Sequence, residues 1–144
     1  MIVCGTGHRP DKLGGYSDEV LERAIAVAEE SIVGYDTVIS GMALGWDTAL
    51  AIAAVNKGIP FIAAVPFLGY EARWSADSQN IFNNLLDLAS KVVIVCDGDY
   101  GVWKLQKRNE WMVDNSDVVL ALWDGSSGGT SNCIRYATKK AKAY

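Results

Sequence analysis

Five short runs of β-branched and apolar residues, separated by segments with helical spacing, constrain this chain more than any other feature. The runs are Ile2-Val3-Cys4-Gly5, Thr37-Val38-Ile39-Ser40, Phe61-Ile62-Ala63-Ala64-Val65, Val92-Val93-Ile94-Val95 and Val118-Val119-Leu120-Ala121-Leu122-Trp123. They are continuous and do not alternate with polar residues, which is the pattern of strands covered on both faces of a parallel sheet. The first intervening helix has an N-cap candidate in Ser17 and acids at Asp18 and Glu19, where the helix dipole favours negative charge. Val20, Leu21, Ala24, Ile25, Ala28 and Ile32 then recur at helical spacing up to a stop at Gly34. Further helices are predicted over Leu44 to Asn56, Ala72 to Ala89, Tyr100 to Asn115 and Thr130 to Ala143. Strand–helix alternation with short loops predicts one doubly wound α/β domain over residues 1–144, with right-handed crossovers and a mainly parallel sheet of five or more strands.

Composition narrows the function. Hydrophobic residues make up 50% and charged residues 21% of the 144, which excludes an intrinsically disordered chain. No apolar run approaches the ~20 residues that span a bilayer. The start, Met1-Ile2-Val3-Cys4-Gly5, has no basic segment followed by a long apolar one, so no signal peptide is expected. Thirteen basic against 17 acidic side chains leave a net charge of −4, which disfavours nucleic acid as the main partner. Cys4, Cys96 and Cys133 are odd in number and form no C-x-x-C pair, so neither a disulfide framework nor a zinc site is suggested. A cytoplasmic location follows, and no cofactor is expected.

In open parallel sheets, ligands bind beyond the carboxyl ends of the strands, so the residues after each strand matter most. After the first come Gly5, Thr6, Gly7, His8, Arg9 and Pro10, and after the second Gly41, Met42, Ala43, Leu44, Gly45, Trp46 and Asp47. After the fifth come Asp124, Gly125, Ser126, Ser127, Gly128, Gly129 and Thr130. Glycines that lead into a helix can expose amides to an anion, and they also make ordinary tight turns. Neither a P-loop nor a complete G-x-G-x-x-G fingerprint is present. His8 is the only histidine; it reads equally as a phosphate or base contact and as a locally bonded turn residue, and no metal-ligand spacing surrounds it. Asp47 either caps free amides or bonds a ribose. Arg73 and Trp74 either clamp a charged planar ligand or are a surface arginine beside a half-buried indole. The fourth helix carries two stripes, Val102/Leu105/Asn109/Met112 and Trp103/Lys107/Trp111. One can cover the sheet, and the second points either to a broad buried face or to a homodimer interface.

Taken together, these segments resemble the SLOG superfamily of DprA/Smf and LOG proteins, closest to its YpsA-like branch. The resemblance rests on Gly5-Thr6-Gly7-His8-Arg9, Ser40-Gly41-Met42-Ala43-Leu44-Gly45-Trp46-Asp47 and Arg73-Trp74. It continues through Arg108-Asn109-Glu110-Trp111-Met112-Val113-Asp114-Asn115-Ser116-Asp117 to Trp123-Asp124-Gly125 and Gly128-Gly129-Thr130. It implies a Rossmann-like fold with a pocket at the strand ends for a nucleotide or nucleotide-derived ligand, in a sensing or regulatory role. The ligand-binding residues it implies, with the loop reading, are Gly5, Thr6, Gly7, His8, Arg9, Gly41, Met42, Ala43, Gly45, Asp47, Arg73, Trp74, Asp124, Gly128, Gly129 and Thr130. In the LOG enzymes, P-G-G-x-G-T-x-x-E supplies a catalytic glutamate; aligned on Thr130, this chain has Cys133 at that place, and the proline is also missing, since Ser127 precedes Gly128. The rival functions are a LOG-type nucleotide N-glycosidase and a DprA-like single-stranded DNA binder.

Overall fold

The structure is a computed structural model that describes residues 1–8, 14–15, 17–122 and 128–139. Its strands are β1 (Ile2–Gly7), β2 (Thr37–Ser40), β3 (Phe61–Val65), β4 (Lys91–Ile94) and β5 (Val118–Leu122). Its helices are α1 (Asp18–Ser31), α2 (Trp46–Lys57), α3 (Ala76–Leu88), α4 (Val102–Asp114) and α5 (Gly129–Lys139). The strands form one sheet in the order β4-β3-β2-β1-β5, and every pairing is parallel. This is the Rossmann-like α/β fold that the continuous apolar runs predict.

Local chemistry sets the helix ends. The Ser17 hydroxyl accepts from the Val20 amide at 3.3 Å and starts α1. The third helix begins later than Ala72, because Ser75 is its cap and accepts from the Ser78 amide at 3.2 Å. Gly58 closes α2 in the left-handed conformation, with φ 69°, which an L side chain adopts at a cost. None of the described helices is long and apolar enough to cross a membrane.

Strand pleating divides the core. Val3, Val38, Phe61, Ala63 and Val65 face a layer of α1, α2 and α3, in which Ala49, Leu50, Ala53 and Ala54 of α2 are fully buried. Cys4, Ile39, Ala64 and Val119 face α4 and α5 through Met112, Val113, Cys133 and Ala137. The chain steps outward from β1 to β4, then returns to lay β5 against the other side of β1. The direction of winding therefore reverses at β1, and the carboxyl ends of β1, β2 and β5 border the crevice where such sheets hold ligands.

Candidate functional site

Strand β1 ends with its residues assigned to opposite faces. A Cβ on Gly5 would stand 1.9 Å from Leu50 Cδ1, and one on Gly7 would stand 2.4 to 2.6 Å from Trp46 Cδ1, Cγ and Cβ. These two glycines let α2 press against the strand. Thr6 points the other way, is 5% exposed, and its side chain hydrogen-bonds Cys133 of α5. Thr130 lies one turn before Cys133 and is also buried, so the first turn of α5 rests over the end of β1.

The loop from β2 to α2 is fastened by its own side chains. The buried Ser40 hydroxyl donates to the Asp47 carbonyl at 2.7 Å and accepts from the Met42 amide at 3.1 Å. Asp47 Oδ2 accepts from the Ala43 amide at 3.4 Å, and the Thr48 hydroxyl donates to the Ala43 carbonyl at 2.8 Å. Asp47 thus fastens its own loop, while α2, whose N-cap is Gly45, has no side-chain cap. Met42 holds φ at 61°, rare for a non-glycine residue, and its side chain is buried. The His8 carbonyl accepts from the Trp46 amide at 3.3 Å.

Arg108 of α4 completes this edge. It is only 5% exposed, and its Nη1 donates to the Gly41 carbonyl while its Nε donates to Asn109 Oδ1 at 2.9 Å. Its Cζ lies 5.8 Å from the centre of the Tyr70 ring. A Cβ on Gly41 would sit 2.8 Å from Asp47 Oδ2 and 3.0 Å from Arg108 Cδ, so the glycine admits both charged groups to one place. Among the described residues no carboxylate makes an ion pair with Arg108. The Tyr70 hydroxyl is buried with no hydrogen-bond partner among them. A buried guanidinium cannot shed its charge, and the Asp47 carboxylate that Gly41 admits beside it offsets part of the cost of burying that charge.

Burial pushes the Cys133 thiol up to about 11 from an ordinary 9.0, against the smaller opposing effect of its Thr6 hydrogen bond. Burial also pushes Cys4 up to about 12, opposed by the hydrogen bond from Ser116. Both are neutral thiols at neutral pH. No group of three or more potential metal ligands occurs among the described residues.

On the α1–α3 side of the same loop lies a cavity of about 220 Å³. Met42, Gly45 and Thr48 form one wall, Leu21 and Ala24 of α1 another, and Trp74 and Phe82 a third. Trp74 stands 5.2 Å from Tyr70 and 5.3 Å from Phe82, in edge-to-face contact with both. The structure therefore brings Thr6, Gly41, Asp47 and Arg108 together at the edge, and Met42, Gly45 and Trp74 together at the cavity. Arg73 is exposed and does not line that cavity. Gly128 and Gly129 are exposed at the start of α5, where a Cβ on either would meet nothing within 4 Å. Arg9 and Asp124 lie outside the described residues.

Sequence reasoning left Arg108 and Tyr70 out of the site. The signal was present for Arg108: it falls between Leu105 and Met112 at helical spacing, on the stripe assigned to the sheet. That stripe itself divides, since Met112 is buried while Val102 is 66% exposed. The second stripe divides too, with Trp111 packed against the core and Trp103 exposed.

The model of the YspA SLOG family matches residues 3–144, and the chain belongs to that family. It is 34% identical over 136 residues to the uncharacterized SPbeta prophage-derived protein YoqJ of Bacillus subtilis strain 168, across 82% of this chain and 80% of YoqJ. Among solved structures, DNA processing protein A from Helicobacter pylori superposes with a TM-score of 0.71 at 19% identity. That match covers 99% of this chain but 62% of the other, and the DprA structure is described by its single-stranded DNA binding mode. The molybdenum cofactor carrier protein of Chlamydomonas reinhardtii matches with a TM-score of 0.59 at 16% identity, over 96% of this chain and 70% of the carrier. At these identities the structural matches establish the fold. Family and fold together place the chain in the SLOG family with a Rossmann-like α/β fold.

Proposed function

We propose that this chain binds a nucleotide or nucleotide-derived phosphate compound at the carboxyl edge of its sheet, as a cytoplasmic sensing or regulatory domain. The observation that carries the reading is the pair Arg108 and Tyr70: a buried guanidinium that has Asp47 nearby but makes no ion pair among the described residues, and a buried hydroxyl with no hydrogen-bond partner among them. An anion with several acceptor oxygens answers both needs. In this reading the guanidinium and the phenol are the side-chain donors, and the first-turn amides of α5 are backbone donors to the same anion. The planar part of the ligand enters the cavity beside Trp74. The net charge of −4 favours a small ligand over a polynucleotide. Cys133, buried and neutral where the LOG enzymes have their glutamate, favours binding over glycosidic hydrolysis, which needs a carboxylate near the anomeric carbon.

The test is calorimetric titration of the wild type, Arg108→Lys and Tyr70→Phe with a panel of nucleoside monophosphates, after circular dichroism confirms folding. A charge-assisted bond contributes roughly 1.5–3 kcal/mol, so Arg108→Lys is expected to weaken binding about ten- to a hundredfold, because lysine lacks the planar fork. Equal affinity in all three proteins, or no binding by the wild type, overturns the reading. Release of free base during the titration assigns the site to hydrolysis instead.

A further inference from the structure

Strand β4 is the least covered part of the sheet. It has β3 as its single neighbour, and its outer edge faces no strand among the described residues. Val92 pairs with Ala63 and Ile94 with Val65, so both point to the face of the α1–α3 layer. There α3 buries Phe82 and Leu85 and stops short of the edge: Val92 remains 41% and Ile94 43% exposed. Leu88, at the end of α3, is 59% exposed. On the other face α4 packs over β1 and β3, leaving Lys91 exposed. A bare strand edge flanked by exposed apolar side chains is a template for another strand.

We propose that the β4 edge is the homodimer contact of this protein, with two copies pairing β4 antiparallel about a two-fold axis normal to the sheet. Such an axis keeps each side chain on its own face. With the axis through Val93, Val92 stands opposite Ile94 of the partner subunit and Ile94 opposite the partner's Val92, so the exposed apolar pairs cover one another. Charge supports the same occupant. Lys91 opens the strand and Asp97 follows its end, and both are exposed. A lysine on a sheet edge ordinarily repels an incoming strand. In the antiparallel two-fold arrangement it stands opposite Val95 of the partner subunit, within diagonal reach of the partner's Asp97. A parallel arrangement would set Lys91 against the partner's Lys91. This contact differs from the Trp103/Trp111 surface that the sequence suggests, because Trp111 is packed against the core.

Sedimentation velocity across the micromolar range tests the proposal on the full chain. The wild type is expected at twice the chain's mass, and Ile94→Lys at the monomer mass with unchanged circular dichroism. Lys91→Glu and Asp97→Lys are each expected to weaken association about two- to thirtyfold, since two symmetric contacts are lost, and the double variant to recover it. Recovery also distinguishes loss of a contact from loss of fold. A monomeric wild type overturns the proposal, as does a dimer that survives Ile94→Lys or that dissociates on Trp103→Gln alone.

Discussion

The two sides of the β2–α2 loop make opposite use of the same kind of residue. On the β1 side, glycines are consumed by the protein itself: Gly5 admits Leu50, Gly7 admits Trp46, and Gly41 admits Arg108 and Asp47. On the α1–α3 side, Gly45, with φ 88°, turns the chain at the head of α2 and borders an open cavity. A glycine lets a backbone be approached closely, and the sequence does not say by what. The packed edge presents a buried hydroxyl without a partner among the described residues and little space, and the cavity presents space with Asp18 and Asp77 in its lining. The proposed ligand would set its anionic end at the first and its planar end in the second.

The comparison breaks first at Gly7. A methyl group there meets Trp46 Cβ at 2.6 Å, an atom fixed to the backbone of α2, so helix and strand must separate. Overpacking of this kind costs about 1–3 kcal/mol, and Gly7→Ala is expected near ~3 kcal/mol at the top of that range, read as a lowered urea midpoint. Gly5→Ala is expected to cost less, because the obstructing atom is the tip of the Leu50 side chain. Equal and small losses at both positions show that these glycines are not packing residues and return them to the ligand.

Alkaline pH sharpens the comparison through the two buried thiols. Cys4 and Cys133 have thiols raised by burial to about 12 and about 11 from 9.0. Between these values the folded chain holds protons that the unfolded chain has released, so stability falls as pH rises. This contribution is fully present below pH 9 and is lost as pH rises towards 11 to 12, at a rate of up to roughly 1.4 kcal/mol per pH unit for each thiol. Urea unfolding at stepped pH is expected to show that slope, and Cys133→Ala to reduce it between pH 9 and 11. An unchanged slope in Cys133→Ala removes this thiol from the buried edge.

The fold was legible because a continuous apolar run repeats five times, although β4 at the sheet edge is largely exposed and not covered on both faces as its run predicts, and Ser17 and Gly34 punctuate the first helix as their chemistry predicts. The site was legible only as a set of loops. Ser40 and Asp47 sit in the quoted β2–α2 segment, yet nothing in their order shows that their bonds are spent on fastening the loop. Tyr70 gave no signal, because an aromatic in a loop has no periodicity. Arg108 showed its spacing on the apolar stripe of α4, but not that its charge is spent on the Gly41 carbonyl of the β2–α2 loop. Trp103 and Trp111 share a stripe in sequence, but the diagonal path of α4 over β1 and β3 covers one and leaves the other exposed.

The smallest expected change in stability tests the open side. Ala24 is half-buried on α1 and lines the cavity. Ala24→Phe replaces the best helix former with a poorer one, at a cost of about half a kcal/mol. The ring, however, enters space that already exists between Trp74 and Met42, and its apolar surface leaves water. The two effects oppose, so the net change in unfolding free energy is expected within about 1 kcal/mol of zero. Binding should behave differently. If the planar end of a nucleotide occupies this cavity, the new ring takes its place, and titration should show affinity lost while the protein remains as stable as the wild type. Affinity retained at full strength places the whole ligand on the Arg108 side. A loss of stability comparable to that of Gly7→Ala shows instead that the cavity wall is as tightly packed as the edge of β1, and that the contrast between the two sides does not hold.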